Sequence, residues 1–240
     1  MSLLRVTAEV SGLQSPAGRC LGCPVELIGL AAFFVLITVG LQFWPGAAET
    51  LRFSRISFEQ GAFWQPVTSQ WVHLSHWHAA GNAFAFAVIV LASGFWIRWP
   101  FQLLALCGGY AGVALVVALD PNCSYYAGAS GALHGLLAGN AMGMAWSGRP
   151  LGQPADEVDH PADVSATRWT RLVATALLSI LALKLYLQAG STQEGPLGGW
   201  GFPVYHPGHV AGALGGLGLV LLVLAARALL PTNVQAKGRQ

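Results

Sequence analysis

The sequence predicts an all-α polytopic membrane protein. Three observations carry that expectation. Charged residues make up 9% of the chain, against about 25% in an ordinary soluble domain. Hydrophobic residues make up 54%. The apolar residues also gather into six runs, roughly 25–44, 72–97, 99–119, 128–148, 171–189 and 204–230. Each is close to the about 20 residues that cross a hydrocarbon core as a helix. A six-helix bundle is therefore expected over 25–230, between an N-terminal segment, 1–24, and a tail, 231–240. Residues 1–24 are mixed in character, and the first apolar run is long enough to span rather than be cleaved as a signal peptide.

The connectors support this division. Segment 45–71 holds two Arg and two Glu, and Phe53, Ile56, Phe58, Phe63 and Trp64 alternate with charges. That pattern suits the headgroup level, where aromatic rings gather. Segment 149–170 carries Asp156, Glu157, Asp159 and Asp163. No internal repeat is visible, and no connector is long enough for a core of its own. Cys20 and Cys23 have metal or redox spacing, but no second pair completes a zinc site, so they are read as incidental. Cys107 reads as packing and Cys123 as unpaired. The net charge of +2, with no basic stripe among aromatics, points away from nucleic acid. The bilayer is the expected partner.

Lysine and arginine set the orientation. With a cytoplasmic N-terminus, nine basic residues lie inside: Arg5, Arg19, Arg98, Arg149, Arg168, Arg171, Arg227, Lys237 and Arg239. Two, Arg52 and Arg55, lie outside, and Lys184 falls within the fifth run. This positive-inside bias puts both termini in the cytoplasm. It also makes the second, fourth and sixth runs enter from the outer face. His78, Ser130 and His209 then sit at similar depth in the outer half of the membrane.

Those residues invite a chemical reading. The stretch Pro121 to Gly148 has no Asp, Glu, Lys or Arg, yet it holds Ser130 within Gly128-Ala129-Ser130-Gly131. His78 with Asn82, and His209, interrupt two other apolar runs. Polar groups in lipid are costly and mark function. A serine hydroxyl needs a base to take its proton, usually a histidine. Two are candidates. His134 follows Ser130 by four residues on the same helix face. His209 would come from another helix. Glycine spacing favours His209: Gly131, Gly135, Gly139 and Gly143 form one stripe, and Gly208, Gly212 and Gly216 another. Such stripes let membrane helices approach closely. His78, Asn82 and the Ser130 amide at a helix start would supply oxyanion donors. No carboxylate lies near His209 in sequence, so a Ser–His dyad is expected rather than a triad.

Together these residues resemble the rhomboid intramembrane serine proteases. That family carries His-x3-Asn on its second span, Gly-x-Ser-Gly at the start of its fourth, and His with Gly at +3 and +7 on its sixth. Here those are His78/Asn82, Gly128–Gly131, and His209 with Gly212 and Gly216. His73 matches a further family histidine, and Trp64 and Thr68 match a first-loop motif in which Gln65 replaces the family's Arg. The run from Gly128 to Gly135, with Leu133-His134, resembles the rhombosortase branch.

By that resemblance the fold is a six-helix rhomboid-like bundle with a re-entrant loop, 120–129, before the fourth helix. The activity is intramembrane serine endopeptidase, without metal or organic cofactor. The substrates are exported proteins with a C-terminal anchor tail, bearing a Gly-Gly-type motif, in a bacterial inner membrane. The site opens to the outer, periplasmic side. His134 would be a branch feature rather than the base. Alternatives are a general rhomboid protease acting on other transmembrane substrates, an inactive rhomboid-like binding protein, and a metal-dependent enzyme or transporter using His73, His76, His78, His134, His206 and His209. Against the last, no His-Glu-x-x-His is present and no acidic residue lies within a run as a likely ligand.

Overall fold

A computed structural model describes residues 24–147, 161–189 and 204–229. The Cys20/Cys23 pair, most of the acidic connector, the tail and the charges Arg5, Arg19, Arg149, Lys237 and Arg239 lie outside the described residues. Six long helices occupy the predicted runs: α1 (Pro24–Phe43), α5 (His76–Ser93), α6 (Trp99–Leu119), α7 (Ser130–Ser147), α8 (Pro161–Ala189) and α9 (His206–Leu229). Three short helices lie between α1 and α5: α2 (Ala47–Leu51), α3 (Arg55–Glu59) and α4 (Gln65–Thr68), followed by a 3-10 turn, Ser69–Trp71.

Four helical segments are long and apolar enough to cross a membrane by themselves: Val25–Phe43, Trp99–Leu119, Thr167–Ala189 and His206–Leu229. A fifth span arises if α5 is joined to Gln65–Trp71, from which it is bent by 86°. The second predicted run, 72–97, is thus shorter as a helix, because Ser75 caps α5 by accepting from the His78 N–H. The helix α7 is less apolar, and the physical reason is its position. Most of its residues are buried among neighbouring helices, so it does not need a lipid-compatible surface.

One departure from pure helix concerns the site. The strand β1 (Phe53–Ser54) pairs antiparallel with β2 (Tyr125–Tyr126), with Phe53 opposite Tyr126. The first loop thereby clamps the segment that leads into Ser130. Arg55 strengthens the clamp. Its guanidinium donates to the carbonyls of Ala118 at 3.0 Å, Val117 at 2.7 Å, Asp120 at 2.6 Å and Cys123 at 3.4 Å. The last carbonyls of a helix have no intrahelical partner and carry partial negative charge, so a cation at the end of α6 satisfies both needs.

Lipid tails are as apolar as leucine, so helices in a membrane associate through close packing rather than hydrophobic exclusion. Here the close packing is backbone on backbone. A β-carbon on Gly135 of α7 would stand 2.5 Å from both the Gly212 carbonyl oxygen of α9 and the Gly109 Cα of α6. One on Gly212 would run into the Gly131 carbonyl, and one on Gly216 into that of Gly135. On the other side of α9, Gly108 and Gly215 meet in the same way. The two predicted glycine stripes face each other, and α6, α7 and α9 form a tight trio.

The remaining long helices attach through side chains. Phe34 of α1 stacks on Phe86 of α5 with ring centroids 4.0 Å apart, within a core that includes Val90, Leu106, Leu136 and Val220. Gln102 of α6 donates to the carbonyls of Val90 and Ile97 and closes the turn from α5. Leu181 of α8 packs between Ala138 and Ala213, while Ile180, Leu183, Tyr186 and Leu187 face outward.

Candidate active site

Four elements bring their ends together at one end of the bundle. Ser130 opens α7, His209 lies in the first turn of α9, His78 lies in the first turn of α5, and α6 finishes nearby under Arg55. The Ser130 Oγ is 2.9 Å from His209 Nε2. Ser130 is half-buried, while His209 is 6% exposed. The glycine seam explains the distance, because Gly208 and Gly212 flank His209 and both meet residues around Ser130.

The tautomer of His209 follows from its other nitrogen. His209 Nδ1 lies 3.3 Å from Gln188 Oε1 of α8. The amide oxygen only accepts, so Nδ1 carries the hydrogen. In a neutral ring Nε2 then holds a lone pair toward the Ser130 hydroxyl, as a base requires.

His134 is differently engaged. Its Nδ1 is 2.6 Å from the Ser130 carbonyl oxygen, which only accepts, so Nδ1–H donates there. Its Nε2 accepts from Lys184 Nζ at 2.5 Å. Both nitrogens are therefore in use. The ring stacks on His209 with centroids 4.4 Å apart and planes 17° apart.

His78 and Asn82 line the α5 side. The backbone at Gly128 has φ of 114°, a left-handed value that favours glycine. A β-carbon there would sit 2.8 Å from His78 Nε2. The Gly128 N–H donates to the Ser69 carbonyl at 2.9 Å, which fixes this approach. Asn82 lies one turn further along α5 and is buried, and its Nδ2 has no hydrogen-bond partner among the described residues. His73 meets His78 edge to face at 4.9 Å. It also lines a separate cavity of about 400 Å³ with Gln42, Glu49 and Arg52, which Ser130 and His209 do not line.

The family profile described as the rhomboid domain matches residues 60–226. That range holds Ser130, His209, His78 and Asn82 and covers well over half of the chain. The chain belongs to the rhomboid family. No curated protein and no solved structure matches it. Rhomboid membership indicates an intramembrane serine protease, a hydrolase acting on membrane-protein substrates within the bilayer.

Sequence reasoning missed several residues of this rhomboid site. Gln188 and Lys184 reach it from α8, one turn apart on one face. No motif marks them; Lys184 was legible only as an odd charge in an apolar run. Tyr126 is another. Its ring is buried against Gly208, and its hydroxyl would stand 2.9 Å from a β-carbon on Gly131. Tyr205 and Asp120 form an outer rim, with the Tyr205 hydroxyl donating to Asp120 Oδ2 at 2.5 Å. That bond, followed by the Asn122 N–H, holds the Asp120 carboxyl below its ordinary pKa, and Asp120 together with burial pushes the Tyr205 phenol up, burial being the larger cause.

The Gln65 departure also has a structural account. Gln65 Oε1 accepts from the Ser54 N–H at 3.0 Å, and Thr68 donates to the Leu51 carbonyl at 2.9 Å. Gln65 is buried and knits the first loop from inside, while Trp64 stays exposed.

Proposed function

We propose that the chain is a Ser–His dyad endopeptidase that cuts C-terminal membrane-anchor tails of exported proteins. The observation that carries the dyad is the 2.9 Å contact between Ser130 Oγ and His209 Nε2. His134 lies close enough to be considered, but its ring nitrogens are taken up by the Ser130 carbonyl and Lys184.

In the first step Ser130 Oγ attacks the scissile carbonyl carbon. The hydroxyl proton passes to His209 Nε2, the new C–O bond forms, and the carbonyl π electrons move to oxygen. His78, Asn82 and the Ser130 amide stabilise that oxyanion, each donor contributing about 100- to 1,000-fold by analogy with other acyl-transfer enzymes. The tetrahedral centre collapses, the C–N bond breaks, and His209 returns the proton to the leaving amine. Water then repeats the sequence on the acyl-enzyme. No step calls for a metal or organic cofactor. Among the described residues no cluster of three His, Cys, Asp or Glu side chains could hold a metal ion.

The topology belongs to the same proposal. All six long helices cross a bacterial inner membrane, with α7 shielded by its neighbours. Both termini are cytoplasmic, and the site faces the periplasm with 120–129 re-entering from that side. The Gly-Gly tail specificity rests on the resemblance of Gly128–Gly135 to the rhombosortase signature. A glycine pair suits such a site, because a substrate helix must unwind to offer a carbonyl and Gly has weak helix propensity.

Co-expression with a tagged reporter carrying a Gly-Gly-type tail tests both parts. Cleavage is expected in the wild type and lost in Ser130→Ala and His209→Ala. Unchanged cleavage in His209→Ala with loss in His134→Ala overturns the choice of base. Equal cutting of a reporter whose Gly-Gly pair is replaced by Leu-Leu removes the tail specificity and leaves a general rhomboid protease.

A further inference from the structure

We propose that Gln188 is the positioning residue of the catalytic histidine, so that α8 completes a Ser130–His209–Gln188 array. The inference rests on the dyad reading and adds a third member that no sequence motif marks.

The geometry carries it. An imidazole acts as a base toward Ser130 only in the tautomer whose Nε2 is bare, and its ring must stay in the plane that aims Nε2 at Oγ. In serine proteases with a triad a buried carboxylate does both tasks. Among the described residues no Asp or Glu is paired with His209; the acceptor facing Nδ1–H is the Gln188 amide oxygen at 3.3 Å. An amide holds the tautomer by accepting, and it adds no charge.

That choice fits the surroundings. Among the described residues, the titratable groups facing His209 are His134 from α7, Lys184 from α8, His206 from its own helix and His78 from α5, with no acid among them. A carboxylate in place of Gln188 would face His209 Nδ1 and favour the imidazolium, which cannot accept the serine proton.

Two further contacts hold α8 where Gln188 can act. His206 Nε2–H donates to the Leu185 carbonyl at 2.7 Å. Lys184, one turn before Gln188, donates to His134 Nε2, and His134 stacks on His209. Residues 184, 185 and 188 thus place the last turns of α8 on three histidines of the site.

The test uses full-length protein in detergent and a fluorophosphonate probe, so that it needs no known substrate. The maximal labelling rate and the half-saturating probe concentration are measured from pH 5 to 9. Variants are Gln188→Leu, which keeps bulk and removes the acceptor, and Gln188→Glu, which keeps the acceptor and adds charge. Gln188→Leu is expected to lower the maximal rate about 10- to 100-fold, the range seen for groups that orient a histidine at metal sites, with half-saturation little changed. Gln188→Glu is expected to retain labelling and to shift the acid limb toward higher pH, because a neighbouring carboxylate stabilises the protonated ring.

Ser130→Ala and His209→Ala separate the two ideas. Labelling that persists in Ser130→Ala, or at full rate in His209→Ala, removes the dyad and this inference with it. If both controls lose labelling while Gln188→Leu keeps the wild-type rate and Gln188→Glu keeps the wild-type acid limb, the dyad stands and the role of Gln188 is overturned.

Discussion

The His78 ring lies against the bare backbone of Gly128. A β-carbon at Gly128 would stand 2.5 Å from His78 Cε1, and the residue's φ of 114° already disfavours one. Gly128→Ala therefore meets strain of about 1–2 kcal/mol in the backbone and a displaced His78 as well. Proteolysis is expected to fall by about 100-fold or more, the loss typical of an oxyanion donor, with the melting temperature lowered only modestly. A variant that cleaves the reporter at the wild-type rate would dissociate His78 from the oxyanion.

The glycine seam makes a sharper contrast. At Gly212 of α9 a methyl group collides with the carbonyl of Gly131 on α7, beside Ser130. At Gly218, on the same helix, nothing lies within 4 Å. Gly212→Ala is expected to abolish labelling of Ser130 by a fluorophosphonate, and Gly218→Ala to leave it intact. Since Ala is the better helix former by about 1 kcal/mol, a loss in Gly218→Ala of similar size would count against the seam as the cause.

Arg55 offers a test of stability apart from chemistry. Its guanidinium serves four carbonyls at and beyond the end of α6, and stacks over Phe53 at 4.9 Å. Hydrogen bonds to a charged group are worth about 1.5–3 kcal/mol, and Arg55 is half-exposed, so Arg55→Ala is expected to cost about 2 kcal/mol. Arg55→Lys should recover only part of this, because an ammonium lacks the planar fork. Thermal unfolding in detergent reads both, and an unchanged transition in Arg55→Ala would contradict the clamp.

Asp120 and Tyr205 set a pH dependence. The Tyr205 hydroxyl, the Asn122 N–H and Arg55 hold the folded Asp120 carboxyl below its ordinary value of 3.8. A depressed carboxylate stabilises the fold above its unfolded pKa, and that contribution is lost as pH falls through the folded value. Tyr205→Phe removes the leading cause. The difference in melting temperature between wild type and Tyr205→Phe should thus be present at pH 7 and shrink below about pH 4. A gap constant with pH would mean that Tyr205 acts through packing alone.

Much of this was legible before any coordinates, for identifiable reasons. The long helices followed from apolar runs, and the meeting of Ser130 with His209 followed from glycine spacing joined to equal depth. What was hidden depends on approach rather than pattern. Gln188 and Lys184 gain meaning only once α8 lies against α7 and α9. Arg55 read as an outer charge at the headgroup level, yet it caps a helix more than sixty residues away in the chain. The β1–β2 pair has two residues per strand, too short for a period-two pattern. The preference for His209 over His134 gained its physical basis from hydrogen bonding: the lone pair of His134 is turned to Lys184.

The trio of α6, α7 and α9 is joined where glycines leave no side chain between backbones. Such joints have no rotamers to exchange and little slack, so Ser130 and His209 ride on a stiff frame. Compliance then belongs to the periphery, to α5 with His78 and Asn82 and to α8 with Gln188 and Lys184, both held by adjustable side chains. On the proposed dyad, the helices that carry neither Ser130 nor His209 are the ones whose packing leaves room for adjustment.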